Sequence, residues 1–199
     1  LKTTLLIAFF AVILGMVLGF LIAIIRSTHD KTGKLGFLNV LARIYLTVIR
    51  GTPVVVQLLI IYFVIFASVN VGKTFVAVLA FGLNSAAYVA EIVRSGIMAV
   101  DIGQFEAGRS LGLNYRQTMT TIILPQAVKN ILPNFGNEFT NLIQASSQVM
   151  VIGVAELMFT FNTISSNGRV FTPLIVIAFL YFVMILFGTF TGDIAAAIC

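Results

Sequence analysis

Residues 5–25 read LLIAFFAVILGMVLGFLIAII, 21 positions without a charge. At a rise of 1.5 Å per residue such a run extends roughly 30 Å as a helix, the thickness of a bilayer's hydrocarbon core. It is too long for the core of a signal peptide, and the nearby basic cluster follows it, so it reads as a retained spanning helix. Four more long apolar stretches come after it. Residues 51–72 are uncharged and interrupted only by Pro53 near their start. Residues 74–90 form a third run that continues as helix through Glu91. Residues 139–155 follow a lead-in from 124 that contains Pro and Gly, and residues 170–192 are the fifth. A β-barrel would show alternating segments of about ten residues. These runs are continuous, so the reading is an all-α integral membrane protein with five transmembrane helices in a single domain over 1–199.

Composition agrees with that reading. Of 199 residues 59% are hydrophobic and 10% charged, where soluble domains carry about 25% charge. That excludes a soluble enzyme, a disordered tail and a secreted disulfide scaffold. One Cys (Cys199) and one His (His29) form neither an internal disulfide nor a standard zinc site, and both read as incidental. No nucleophile–base constellation stands out, so an enzyme is not expected. The net charge of +5 reads as loop bias and not as a nucleic-acid footprint.

Lys and Arg also set the orientation. Residues 26–50 hold Arg26, Lys31, Lys34, Arg43 and Arg50, and residues 94–129 hold Arg94, Arg109, Arg116 and Lys129. The other side holds only Lys2, Lys73 and Arg169. Positive residues collect on the cytoplasmic side, so the N-terminus is expected outside and the C-terminus in the cytoplasm. The chain opens on Leu1, so an initiator region is expected to precede it. Between spans, residues 70–73 read as a tight outer turn. Residues 156–172, with Asn162, Asn167 and Gly168, read as a longer outer segment.

Polar residues inside apolar helices are costly and normally face protein or water. Asn134, Asn137, Glu138, Asn141, Gln144 and Gln148 fall along one stripe of the fourth span. Asn84, Tyr88, Glu91 and Ser95 fall along one face of the third. Two readings stand: glue between helices, or the lining of a solute path. Glu138 lies near mid-membrane and is the leading path candidate, with a structural ion pair as its alternative. Pro133 and Gly136 lie deep enough for a kink. Pro53 and Pro173 need only the tolerance of a helix's first turn.

The cytoplasmic segment, about 99–125, carries Glu106, Ala107, Gly108, then Leu111, Gly112 and Leu113, with Ile122 to Pro125 further on. Locally this reads as a short helix, a glycine-permitted turn, a second helix and a Pro opening the next span. It could present its end to a soluble partner or lie on the headgroups.

The spacing Glu-Ala-Ala-x3-Gly-x9-Ile-x-Leu-Pro, met here from Glu106 to Pro125 with Gly108 in place of the second Ala, resembles the cytoplasmic signature of importer-type ATP-binding-cassette permeases. Arg50 to Pro53 with Gln57, Asn84 to Tyr88 leading to Glu91, and Gly136 to Phe139 resemble the polar amino-acid subgroup, as does Val151 to Val154. The resemblance covers about residues 3–185.

It implies a type I importer permease core in the cytoplasmic membrane of a prokaryote. Its partners would be a second permease copy or paralogue, ATP-binding-cassette ATPase subunits, an extracytoplasmic solute-binding protein, membrane lipid and an amino-acid substrate. Glu138, Asn141, Gln144 and Gln148 would line the path, supported by Asn84, Tyr88, Glu91 and Gln57. Glu106, Ala107, Gly108, Leu111, Gly112 and Leu113 would couple to the ATPase. No cofactor is expected in this chain. ATP and Mg would be used by the partner, because no Gly-x4-Gly-Lys-Ser/Thr phosphate loop occurs here.

Two departures matter. The subgroup's Lys-Asp-Thr-Ser-Leu is replaced by Gln144, Ala145, Ser146, Ser147 and Gln148, and residues 193–199 hold no Lys or Arg where the resemblance leads one to expect a basic tail. The alternatives are an ion-coupled carrier or channel, and a transport-inactive partner in a heterodimer.

Overall fold

The computed structural model describes residues 1–166 and 171–198, and the side chains of residues 31, 32, 171 and 191–198 are outside the description. The expectations for Asn167, Gly168, Arg169, Val170 and Cys199, and for the side chain of Lys31, therefore lie outside the described residues.

Every regular element among the described residues is helical. Helix α1 (Lys2–Thr32) contains the run quoted above and stops at Gly33, whose φ of 67° is left-handed and costs glycine nothing. Helix α2 (Gly36–Gly51) follows. Its apolar residues Phe37, Leu38, Leu41, Ile44 and Val48 are exposed, while Asn39, Ala42 and Leu46 are buried. The five Lys and Arg of residues 26–50 suggest a basic loop; the structure makes residues 36–51 of it an amphipathic helix instead.

Helix α3 (Val54–Ile60) runs on as a wider turn, Ile61–Ile65. Between α2 and α3 the chain bends by 109°. Pro53 causes the break: the residue before a proline is pushed out of the helical region, and Thr52 is extended (φ −123°, ψ 143°).

Helix α4 (Lys73–Met98) packs along α1. Its buried face is built from Val76, Ala77, Ala80, Phe81, Gly82, Ser85, Ala86, Val89 and Ala90. Opposite it, Gly15 and Gly19 of α1 stand one turn apart, and a β-carbon at either would fall 2.6 Å from a side-chain atom of Ser85 or Val89. In lipid, helices associate through such close contacts between small residues, because expelling water is no longer the driving force.

Helices α5 (Ile102–Ser110) and α6 (Tyr115–Thr118) follow, and a wider turn (Met119–Ile123) leads into α7 (Leu124–Ala145). α7 passes Pro133 as one continuous helix. It then tightens into a 3₁₀ stretch, Ser146–Ile152, closed by Gly153 at φ 72°. Here the Ser146 and Ser147 hydroxyls donate to the carbonyls of Ile143 (2.6 Å) and Gln144 (2.8 Å); such local bonds compete with regular helix geometry. Helix α8 (Leu157–Ser165) is capped by the Glu156 carboxylate, which accepts from Phe159 N at 2.7 Å. Helix α9 (Phe171–Ile198) packs on α7.

Three helices are long and apolar enough to cross a membrane unaided: Lys2–Asp30, Lys73–Met98 and Thr172–Phe190. Two bent pairs, Gly36–Gly51 with Val54–Ile65 and Tyr115–Ile152 with Leu157–Ser165, raise the number to five if each makes one crossing.

Candidate functional site: the amide face of α7 and its surroundings

The fourth-span stripe divides in the folded chain. Asn134, Asn137, Asn141 and Gln144 are exposed on α7, and Gln148 is half-buried in the 3₁₀ stretch. Glu138, at the stripe's flank, is 6% exposed. Its carboxyl lies beside Ser85 of α4 and Asn141 of its own helix. The Ser85 hydroxyl is buried and faces this carboxyl. No cation pairs with Glu138 among the described residues, whereas Arg26, Arg50 and Arg94 all pair with Glu91.

The third-span residues divide as well. Asn84 donates to Gln57 Oε1 at 3.1 Å. Gln57 in turn donates through Nε2 to Ile49 O (2.8 Å), Thr52 O (3.0 Å) and Thr52 Oγ1 (2.8 Å). These are groups at the end of α2 that lose helical donors where Pro53 breaks the chain. Gln57 is thus a clasp for the 109° bend, and Asn84 anchors that clasp to α4.

Further along α4, Glu91 faces three guanidinium groups. Arg94 bonds it through Nε (3.0 and 3.1 Å to the two oxygens) and Nη2, while Arg26 and Arg50 approach at 3.7 and 3.8 Å. Arg50 also lies over the Tyr88 ring, 5.9 Å from its centroid, within cation–π range. Glu91 and Tyr88 therefore belong to an arginine cluster that joins α1, α2 and α4, and α7's amides stand apart from it. That cluster escaped the sequence reading. Its signal is the set of arginines closing three helical runs.

Residues 99–125 form two short helices joined by a tight turn. Asp101 caps α5 by accepting from Gly103 N at 2.6 Å. Asn114 and Gln117 cap α6 reciprocally. Between them, Gly112 takes φ 76° and Leu113 N donates to Gly108 O at 3.0 Å, a glycine-dependent way to end a helix.

Gly108 is buried, and a β-carbon there would stand 2.7 Å from Thr118 Cγ2 and 2.8 Å from its Oγ1. The glycine in place of the signature's second alanine thus lets α5 sit against α6. Glu106 and Ala107 are exposed, and Leu111 presents 77% of its surface at the turn. Among the described residues no group of three His, Cys, Asp or Glu side chains is placed to hold a metal.

Residues 11–197 match the family described as "Binding-protein-dependent transport system inner membrane component". The chain is 37% identical over 195 residues to the arginine transport system permease protein ArtQ of Bacillus subtilis, covering 96% of this chain and 87% of that one. It is 38% identical over 187 residues to a Rickettsia typhi protein provisionally named a glutamine transport system permease, GlnP, covering 92% of this chain and 84% of that one. Among solved structures, one titled "Crystal structure of an amino acid ABC transporter with histidines" superposes with a TM-score of 0.90 at 41% identity, covering 100% of this chain and 92% of that one. The inward-facing MetNI methionine transporter superposes at 0.81 with 18% identity, covering 98% and 92%, a likeness of fold alone. The extent of the family match and these identities show that the chain belongs to the binding-protein-dependent transport system inner membrane components, the bacterial inner-membrane permeases of ATP-binding-cassette transporters.

Proposed function

We propose that the chain is the membrane-spanning subunit of an ATP-driven amino-acid importer, in which two permease subunits enclose the solute path. A separate ATPase would drive the switch between inward- and outward-facing states, using ATP and Mg, and a solute-binding protein would deliver substrate outside. In this reading residues 1–199 act as one domain with the N-terminus outside, and the basic ends of α1, α2 and α4 lie on the cytoplasmic side.

One observation carries the reading: Asn134, Asn137, Asn141 and Gln144 share an exposed face of a helix within an apolar protein. Amides left against hydrocarbon are costly. That face therefore fits a water-filled path or a partner subunit better than lipid. Glu138, buried behind it beside Ser85, supports the face from within. Gln148 continues it. Asn84 and Gln57 hold the α2–α3 bend, and Tyr88 and Glu91 hold the cytoplasmic arginines, so their part in transport is indirect.

The coupling role falls to α5 and its turn. Glu106, Ala107, Leu111 and Gly112 face outward to meet the ATPase, and Gly108 and Leu113 hold the two short helices together. Alternating access requires that ATP and solute favour different states.

The test is ATP-dependent uptake of labelled glutamine or arginine by proteoliposomes containing the assembled importer. Replacing Asn141 and Gln144 together with Leu should cut uptake about tenfold or more while the complex still assembles, since a path must replace the solute's water with fixed polar groups. Unchanged uptake in that variant, or uptake that follows an ion gradient without ATP, would overturn the proposal. The second outcome would favour an ion-coupled carrier.

A further inference from the structure

Helix α2 lies across α1 and α4, with Leu46 packed on Ala87 and Ala90. A cavity opens on each flank. On one, a groove of about 330 Å³ is lined by apolar side chains of three helices, including Leu18, Leu21, Leu38, Leu41 and Leu83. On the other, a cavity of about 370 Å³ is lined by Arg26, Arg43, Thr47, Arg50, Glu91 and Arg94. Leu83 and Glu91 are separated along α4 by about 12 Å at helical rise, with Ala87 between them beneath α2. The outward face of α2 is apolar, and the chain turns through 109° at its end. These are the marks of a helix lying in the membrane interface, hydrocarbon on one flank and headgroups on the other.

The basic cavity is undersupplied with negative charge. Four guanidinium groups and a single carboxylate, Glu91, line it, and even with Asp30, which acts on Arg94, a surplus of two positive charges remains. A guanidinium has five N–H donors and a carboxylate two oxygens, so Glu91 cannot satisfy Arg26, Arg50 and Arg94 together. Arg26 and Arg50 stay beyond hydrogen-bond distance of it. The Nε of Arg26 is buried and has no hydrogen-bond partner among the described residues. What this arrangement lacks is a compact anion with several oxygens, and arginine forks match phosphate oxygens in pairs.

We propose that the cavity binds the phosphate of an anionic phospholipid, with an acyl chain lying along the apolar flank of α2. Basic pockets between helices at the membrane surface hold such headgroups, and here the apolar groove adjoins the pocket across a single helix. The bound lipid would tie α1, α2 and α4 together at the end where the arginines repel one another.

The importer complex is reconstituted in nanodiscs with equal phosphatidylglycerol and phosphatidylcholine, exchanged into neutral detergent, and its retained lipid is weighed by native mass spectrometry. The wild-type permease should keep phosphatidylglycerol over phosphatidylcholine by about tenfold or more, as several arginines at a charged surface would produce. Arg43 makes no ion pair among the described residues, so Arg43→Gln should leave the fold intact while lowering that retention about fivefold. Arg43→Lys should keep most of it. Lys129→Gln changes net charge equally but lies on α7 away from the cavity, and should leave retention unchanged.

Equal retention of the two lipids, or an equal loss in Lys129→Gln, would overturn the proposal. So would displacement of the lipid by excess inorganic phosphate, which would assign the cavity to the free anion. Retention is read without transport, so a negative result here leaves the importer reading standing, and the reverse.

Discussion

Gly15→Ala tests how α1 and α4 are held together. A β-carbon at position 15 would lie 2.6 Å from Ser85 Oγ, 2.7 Å from Ser85 Cβ and 3.3 Å from the Ala86 backbone nitrogen. Carbon atoms in comfortable contact sit about 3.5–4.0 Å apart, so the helices must separate by about 1 Å along that line. Ser85 Cβ belongs to the helix and cannot swing aside.

Such overpacking costs about 1–3 kcal/mol, and the better helix propensity of alanine returns up to about 1 kcal/mol. Taking the middle of each range, the net loss is about 1.5 kcal/mol, a fall in Tm of about 3–6 °C for a chain of this size. Purified complex heated in detergent and followed by loss of its size-exclusion peak reads this directly. Adding Ser85→Gly removes both clashing atoms. The hydroxyl it deletes faces the Glu138 carboxyl, so the double variant should recover part of the loss and not all of it. Gly51→Ala, where nothing lies within 4 Å of the new carbon, should stay within about 0.5 kcal/mol of the parent. A Gly15→Ala protein as stable as the parent, or a double variant no better than the single, would refute close packing at this crossing.

Two further predictions concern the α2–α3 bend and the α5–α6 turn. Gln57→Leu strips the donors from Ile49 O and Thr52 O and the acceptor from Asn84, so it should destabilise the complex by about 1–3 kcal/mol and speed proteolysis between α2 and α3, both read on purified protein. Gly108→Ala forces its methyl against Thr118. It should lower ATPase subunit co-purification several-fold while the permease still inserts, and Thr118→Ala in the same chain should restore it by removing the two nearest atoms.

Much of this was legible in the sequence where the signal is local. The apolar runs at 5–25, 74–90 and 170–192 announce helices long enough to span, whereas those at 51–72 and 139–155 fall in broken, bent stretches. Gly33, Gly112 and Gly153 end helical stretches at left-handed φ, and the distance from Glu106 to Pro125 fits two short helices and a turn. The spacing of Gly15 and Gly19 is equally local and was a readable sign of tight helix packing.

What escaped is non-local. Gln57 and Asn84 are 27 positions apart, and nothing near either names the other as its partner. Helical period alone groups Glu138 with the amides. Only the approach of Ser85 from α4 decides that the carboxyl is buried while Asn137 and Asn141 stay exposed. Glu91 looked like another member of a polar face until three helices brought Arg26, Arg50 and Arg94 around it. Helix α2 shows a third kind of difficulty. Its apolar arc is regular, but Arg43 and Arg50 interrupt it, so no long uncharged run marks it as the other helices are marked.

Site-directed thiol labelling of α7 tests the proposed path most directly. Cys199 is the single cysteine in residues 1–199, so a Cys199→Ser background leaves no other thiol in this stretch, and labelling is read on the permease band after the subunits are separated. Asn141→Cys, Gln144→Cys and, on the exposed face of α9, Phe179→Cys are introduced one at a time, and the assembled importer in proteoliposomes is treated with a charged maleimide with and without ATP. A water-filled path lined by α7 predicts that positions 141 and 144 are labelled, at rates that change several-fold with ATP, while position 179 in lipid is not. Positions 141 and 144 that resist the reagent from both sides, or react at a rate indifferent to ATP, would contradict it.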